Sequence, residues 1–462
     1  MHGFHHKIRH GLSAGFPRKR AAFSLVELLV ASTIALMVMG AVAQLFSLFS
    51  RTLSQSQATV DISGRLRNAA WQLRQDLAGV TVDVVPWTEP ESDSGYFELL
   101  EGPQRDASLA FSGAFVANAN LEADTDDTLL FTTRSAGVPF VGLYGTNTIE
   151  SPCAEVAWFC RAAGTQPTTT TTVYNLYRRQ LLVVGYAGQA PFSTNANNAA
   201  AVTSLWQASQ SGQSRPTQLY DLSLRLEGGL AVPNSLSDLT KRENRCFLSG
   251  TGPLRTGTFP YAFLVDGNGR ALADATFDST DRVWEDVILT NVISFDVRVF
   301  DPAAKAQPTT NLSLLPGDPG YNAASAVSGT GAAGAYVDLG WGGGSPTLIS
   351  GTFPPFGQTA FKSAGRYVRN STSNNTLPIA TYDTWSLHYE FNGEDEDGDG
   401  VVDDGTNGVD DNGDDLPDNP PEYETSPPYP VPLKGIEVRI RCYEPTSKQV
   451  RQITLRHAFT KD

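Results

Sequence analysis

The chain has 462 residues, with 34 Lys and Arg against 49 Asp and Glu, for a formal net charge of −15. That length allows one to three domains with a sizeable core, and a 40% hydrophobic content excludes a chain disordered throughout. The acidic balance argues against a nucleic-acid partner, which requires a basic face.

The charge is unevenly placed. Residues 1–22 carry Lys7, Arg9, Arg18, Lys19 and Arg20 and no acid, whereas residues 394–424 carry fourteen acids and no base. The remainder holds 29 basic and 35 acidic residues, an ordinary mixed surface. With 42 Gly, 28 Pro and only 18% charged residues, this remainder reads as strands and loops.

Residues 1–22 are a basic leader. His2, His5, His6 and His10 lie in it without partner acids, so they do not read as a metal site. From Phe23 to Phe49 the chain is apolar for 27 residues with one charge, Glu27. As a helix this run is about 40 Å long, enough to cross a hydrocarbon core of about 30 Å. It exceeds the h-region of a cleaved secretory signal. The leader's cations stay on the cytoplasmic side, which places everything after Arg51 across the membrane. Helical periodicity continues through Val60, Ile62, Leu66, Ala69, Ala70, Leu73 and Leu77, with Arg65, Arg67, Arg74, Gln75 and Asp76 between them. This spacing predicts one helix over about 24–78, its second half amphipathic and laid on an apolar surface. Gly79 is the expected stop, and Pro86 forbids much continuation.

An ionisable group inside a spanning helix is costly and reads as functional. Glu27 is such a group. The stretch Ala22-Phe23-Ser24-Leu25-Val26-Glu27-Leu28-Leu29-Val30, directly behind the basic leader, resembles the cleavage and methylation motif of type IV prepilins and pseudopilins. The family usually has Gly before the cut, where this chain has Ala22. The resemblance implies that a prepilin peptidase cuts between Ala22 and Phe23 and methylates the new amine. It also implies a single pass through a bacterial inner membrane, with leader cytoplasmic and head periplasmic. The partners it implies are other pseudopilin subunits, whose assembly Glu27 serves by pairing with a neighbour's amine as the helix is extracted into a pseudopilus.

Beyond residue 80 the chain shows short apolar or alternating runs between turn residues. The stronger ones are 129–133, 155–159, 174–184, 287–300, 384–391, 436–442 and 450–459, the last two forming a hairpin around Pro445 to Lys448. Residues 164–172, 187–215 and 301–346 read as loops or insertions. The expected fold is α+β: a long N-terminal transmembrane helix (about 23–49 within a helical segment 23–80) continuing into an amphipathic helix packed on an antiparallel β-rich head, 81–462, with long insertions. The run Asp286 to Phe300 resembles a strand of the J-type minor pseudopilins of type II secretion. Leu433 to Phe459 is similar to their C-terminal hairpin, and Tyr177-Arg178-Arg179 looks like a central strand of that group. The W-type minor pilins of type IV pili share the plan and are the alternative, so type II secretion and type IV pilus membership both stay open.

Residues 395–403 place oxygen donors Asp395, Asp397, Asp399, the Val401 carbonyl and Asp403 at loop positions 1, 3, 5, 7 and 9, with Gly400 at position 6. The spacing recurs at Asp410, Asn412, Asp414, the Leu416 carbonyl and Asp418. This is the first part of a Ca²⁺ loop, though the Glu at position 12 is missing from both copies and Asp415 stands at position 6 of the second. Structural Ca²⁺ is the expected cofactor; a solvated acidic loop is the other reading. The four cysteines, Cys153, Cys160, Cys246 and Cys442, allow three disulfide connectivities in an exported head, Cys153–Cys160 with Cys246–Cys442 among them, or free buried thiols. After the leader only His388 and His457 remain, and no HExxH, GxSxG, P-loop or GxGxxG is present. The expectation is a structural protein without catalytic residues.

Overall fold

A computed structural model of the chain describes residues 24–85, 88, 90–101, 124–144, 147–165, 172–184, 221–227, 230–240, 244–245, 285–305, 307–308, 313–314, 333–339, 352–353, 358–359, 367–369, 376–378, 380–384, 401, 408–411, 413–417 and 432–459. Residues through Ala58 make one compact unit and those from Thr59 make another.

The first element is one helix, α1, Leu25–Ala78. A capping box starts it: Glu27 N–H donates to Ser24 Oγ at 3.2 Å, and Ser24 N–H donates to Glu27 Oε2 at 2.9 Å. Its apolar first half, from Leu25 to Leu53, is exposed. From Ile62 the buried residues Ile62, Leu66, Ala69, Ala70, Leu73 and Leu77 recur at three- and four-residue steps, so one stripe packs while Arg65, Arg67 and Arg74 stay outside. Val60, expected in that stripe, is 71% exposed, because two positions before Ile62 it leaves the helix on the opposite side.

The helix stops where expected. Gly79 N–H donates to Asp76 O and Val80 N–H to Leu77 O, tightening the last turn. Gly79 O then accepts from Arg134 N–H at 2.6 Å, and a Cβ at position 79 would collide with Arg134 O and Thr133 Oγ1. Glycine is therefore required by close approach of two backbones, not by its φ.

The head is built on one nine-stranded antiparallel sheet. Its strands in chain order are β1 Phe97–Glu101, β2 Thr128–Arg134, β3 Cys153–Thr165, β4 Thr172–Val183, β5 Glu285–Lys305, β6 Ala333–Val337, β7 Ala380–Asp383, β8 Gly435–Glu444 and β9 Gln449–Ala458. The spatial order is β7-β1-β2-β3-β4-β5-β8-β9, with β6 paired to the far end of β5. The expected strands at 129–133, 155–159, 174–184, 287–300, 436–442 and 450–459 are all present, and the last two form the expected hairpin around residues 445–448. The expected run 384–391 falls, apart from Thr384, outside the described residues; the strand nearby is β7. Residues 301–346, read as an insertion, contain the end of β5 and all of β6, because Ala335 and Val337 complete the core beside Val299.

The central strands are buried on both faces. On β3, Val156, Trp158 and Cys160 join the cluster that the helix stripe covers, whereas Cys153, Ala157 and Phe159 join a second cluster with Tyr96, Leu130 and Tyr177. This is the period-two alternation of a strand sandwiched between two apolar layers. Strand β5 changes partners along its length: β4 pairs with residues 285–292 and β8 with 292–299. Register shifts flank Asn291, whose φ is +57°, a left-handed conformation Asn tolerates at a bulge.

Candidate functional site

Ala22 and Phe23 lie outside the described residues, and the described part of the site begins at Ser24. Ser24 and Glu27 satisfy two of the helix's orphan N–H groups reciprocally. The Glu27 carboxylate is thereby turned back toward the chain's N-terminal end. Behind it the helix offers Leu25, Val26, Leu28, Leu29, Val30, Ile34, Leu36 and Met37 uncovered, with only Glu27 charged. This segment is long and apolar enough to cross a membrane.

The same helix is anchored at its other end by a buried ion pair. Asp76 Oδ1 and Oδ2 accept from Arg178 Nη2 at 2.8 Å and Nε at 2.7 Å, and Oδ2 also accepts from Trp158 Nε1 at 2.9 Å. Both ionic side chains are 6% exposed. An acid in the last turn is unfavourable against the helix dipole, and the guanidinium from β4 compensates it. Thr133 Oγ1 adds a bond to Asp76 O at 2.7 Å. The sequence signals Arg178 as a charge inside a strand and Asp76 as a polar gap in the helix; nothing in it joins the two.

The opposite face of the sheet carries a second buried network. Arg245 Nη1 donates to Glu98 Oε2 and Asp383 Oδ2, each at 2.8 Å, and its guanidinium lies 3.9 Å from the Tyr96 ring centroid. Burial disfavours the Arg245 charge, but Asp383 and Glu98 outweigh it and hold the group protonated. Tyr96 Oη and Ser223 Oγ donate to the two oxygens of Glu155 at 2.7 and 2.6 Å. Burial nevertheless raises the Glu155 carboxyl above its ordinary range.

In the second acidic loop the described residues are 408–411 and 413–417. Asp410 collects the backbone: its Oδ1 accepts from Gly413 and Asp414 N–H at 2.6 and 3.0 Å, and its Oδ2 from Asp415 N–H at 2.7 Å. Asp415, where glycine was expected, takes φ +69°. Asp414 Oδ1 accepts from Leu416 N–H at 2.9 Å. Val401 is also described; Asp395, Asp397, Asp399, Asp403, Asn412 and Asp418 lie outside the described residues.

The Cys153–Cys160 bridge is excluded. Both residues lie on β3 seven positions apart, so their side chains leave opposite faces and their backbones stand about 23 Å apart at strand rise. Cys153, Cys160 and Cys442 are free, buried thiols, and burial pushes Cys442 up to about 12. Cys246, the remaining partner considered for Cys442, lies outside the described residues. Of the two histidines beyond the leader, His388 is outside them too; His457 on β9 packs edge-on to Phe459 with centroids 5.0 Å apart.

A third group of acids was not legible in sequence. Carboxylate oxygens of Asp124, Asp126 and Asp127 lie within 4.8 Å of one another. Their segment runs along β5, with Asp124 O accepting from Phe295 N–H and Asp127 Oδ2 from Val297 N–H. Burial, then the neighbouring Asp296 and Asp126 charges, push the Asp127 carboxyl well above its ordinary range.

Residues 17–43 match the family model of the prokaryotic N-terminal methylation motif, the leader signature of type IV pilins and pseudopilins. A search of curated proteins and one of solved structures found no significant match. The motif, and the one long apolar helix among the described residues, thus mark a pilin-like protein, a class processed by prepilin peptidase and assembled with other pilin subunits, and that helix is consistent with a membrane anchor. Its class is that of structural subunits.

Proposed function

We propose that the chain is a non-enzymatic minor pseudopilin of J type, assembled into the periplasmic pseudopilus of a type II secretion-like system. The observation that carries the reading is the methylation motif standing at the start of an uncovered apolar helix whose other end is locked to a large β-rich head. The leader is removed before Phe23, and the head is held in the periplasm by the inner-membrane segment. Glu27 then exchanges its Ser24 contact for the amine of an adjacent subunit. An exposed, reciprocal capping box suits such an exchange, because it keeps the carboxylate oriented while costing only about 1 kcal/mol to open. Strands β5, β8 and β9 support the J-type resemblance by forming a contiguous terminal block of the sheet.

Structural Ca²⁺ in the tandem loops at 395–403 and 410–418 belongs to the same proposal. The Asp410 contacts support it: a first-position carboxylate tying down the backbone of positions 4, 5 and 6 shapes the loop so that later oxygens converge.

Intact-mass measurement of the membrane-extracted protein tests the core of the reading. The expected mature chain starts at N-methyl-Phe23; a chain retaining residues 1–22 in cells with active prepilin peptidase refutes it. Deletion of the gene separates the finer alternatives. Loss of protein export with pili intact is expected, and loss of surface pili with export intact identifies a W-type pilin instead.

A further inference from the structure

The nine-stranded sheet ends differently on its two sides. Strand β7, at one end, has four residues, whereas β9, at the other, has ten. Among the described residues β9 pairs with β8 alone, through ten consecutive positions without a bulge, and it holds no proline. Its outer side is therefore a long, regular template for another strand.

The phase of the ladder fixes which groups face outward. Phe459 N–H donates to Lys434 O at 3.0 Å, so hydrogen-bonded pairs fall on every second position from there and include Leu455 with Val438. Val297, opposite Val438 on β5, sends its N–H to Asp127 instead of β8, as the same phase requires. Val450, Gln452, Thr454, Arg456 and Ala458 thus turn their N–H and C=O groups away from β8.

Gln452, Thr454 and Arg456 also share one face of the strand, where with Arg74, Glu437 and Arg439 they line a cavity of about 540 Å³. Three of these groups are cationic and one is anionic. Glu437 is buried and accepts from Arg439 Nε at 2.7 Å and Arg456 Nε at 2.6 Å. The Arg456 side chain is nevertheless 67% exposed, and Arg74, on α1, makes no ion pair or hydrogen bond among the described residues. Residues 434–457 carry six bases against Glu437 and Glu444, in a chain of net charge −15. On the other face of β9, the half-buried Ile453 packs on the core, as does Phe459 just beyond.

We propose that the outer edge of β9 receives an extended strand of a neighbouring pilin subunit, with carboxylates on its cavity side and apolar residues on the other. Backbone bonds to Gln452, Thr454 and Arg456 hold the strand, and the arginines select its charge. Charge blunts an edge against its like and leaves it open to the opposite sign. A second β9 would set Arg451 and Arg456 near their like. The chain's own acidic tract, 394–424, is interrupted by Gly and Pro and lacks apolar alternation. That the strand belongs to a pilin subunit rests on the pilin reading; the edge and its chemistry do not.

The test uses the full-length protein in detergent and fluorescence anisotropy of a labelled, acetylated peptide of four Glu-Val repeats. Saturable binding is expected, and none for four Lys-Val repeats. Thr454→Pro removes an outward N–H and no bond to β8, a change an edge strand tolerates; it should weaken binding about tenfold at an unchanged melting temperature. Arg74→Glu, which breaks no contact, should weaken it about threefold. No binding of the Glu-Val peptide overturns the proposal, as does wild-type affinity in either variant. Should Thr454→Pro fail to fold, hydrogen exchange of the wild type decides: the peptide must slow the Gln452, Thr454 and Arg456 amides, and unslowed exchange overturns the proposal. In cells, a photo-crosslinking residue in place of Val450 is expected to capture a protein that itself carries a prepilin cleavage motif. Capture of only a second copy, or of the tract 394–424, overturns the proposal. Leader processing is read separately by intact mass, so the edge and the pilin reading fail independently.

Discussion

Asp76→Asn removes a single charge from the contact that locks the helix to the sheet. Asparagine keeps an oxygen for Trp158 Nε1, so the loss falls on Arg178, whose Nε and Nη2 bonds to Asp76 are 2.7 and 2.8 Å long at 6% exposure. Its Nη1 bond, to Gln180 Oε1, is to a neutral group. Breaking a buried pair from one side costs about 3–5 kcal/mol, mostly as the penalty of the charge left behind. Arg178→Met strands Asp76 and should cost about the same. Asp76→Asn combined with Arg178→Met leaves no buried charge and retains the Trp158 bond, so it should cost only about 1–2 kcal/mol. The double variant is therefore expected to be more stable than either single one, with a coupling of at least about 3 kcal/mol. Urea unfolding of the detergent-solubilised chain, followed by tryptophan fluorescence, measures all four corners of the cycle. Additive costs would show that the pair is not the lock and would refute the argument.

Gly79→Ala places a methyl against Arg134 O and Thr133 Oγ1 and should destabilise the head by about 1–3 kcal/mol, read by the same unfolding assay; no change would refute the close approach. Glu155 is raised by burial, so its contribution is fully present below the unfolded value, about 4.3, and is lost as pH rises through the folded one. Glu155→Gln should therefore reduce the gain in urea midpoint that the wild type shows between pH 7 and pH 5; an unaltered pH dependence would count against that charge. Glu27→Val should leave the unfolding of the head unchanged while lowering recovery in sheared filaments at least tenfold, and Ser24→Ala, which removes half the cap, should weaken the helix start by about 1 kcal/mol without that loss. Equal filament defects in both variants would mean that Glu27 acts only as a cap.

What the amino-acid order determines by itself is local. The motif around Ala22, Phe23 and Glu27, the helix ending at Ala78, and strands β2 to β5, β8 and β9 are legible because each is a pattern written in neighbouring residues, for the helix and strands a period of 3.6 or 2. The Asp410 loop is legible for the same reason: its carboxylate bonds residues three to five positions away. Tertiary structure alone decided the rest. Asp76 meets Arg178 across 102 positions, Arg245 meets Glu98 across 147, and the Asp127 carboxylate meets Val297 N–H across 170. No periodicity marks such partners. A buried charge tolerates only a position where an opposite charge or donor also arrives, and which residues arrive together is set by strand order and by the face each side chain leaves. The same rule separates Cys153 from Cys160: close in sequence, they are held apart because an odd spacing on one strand sends them into different cores.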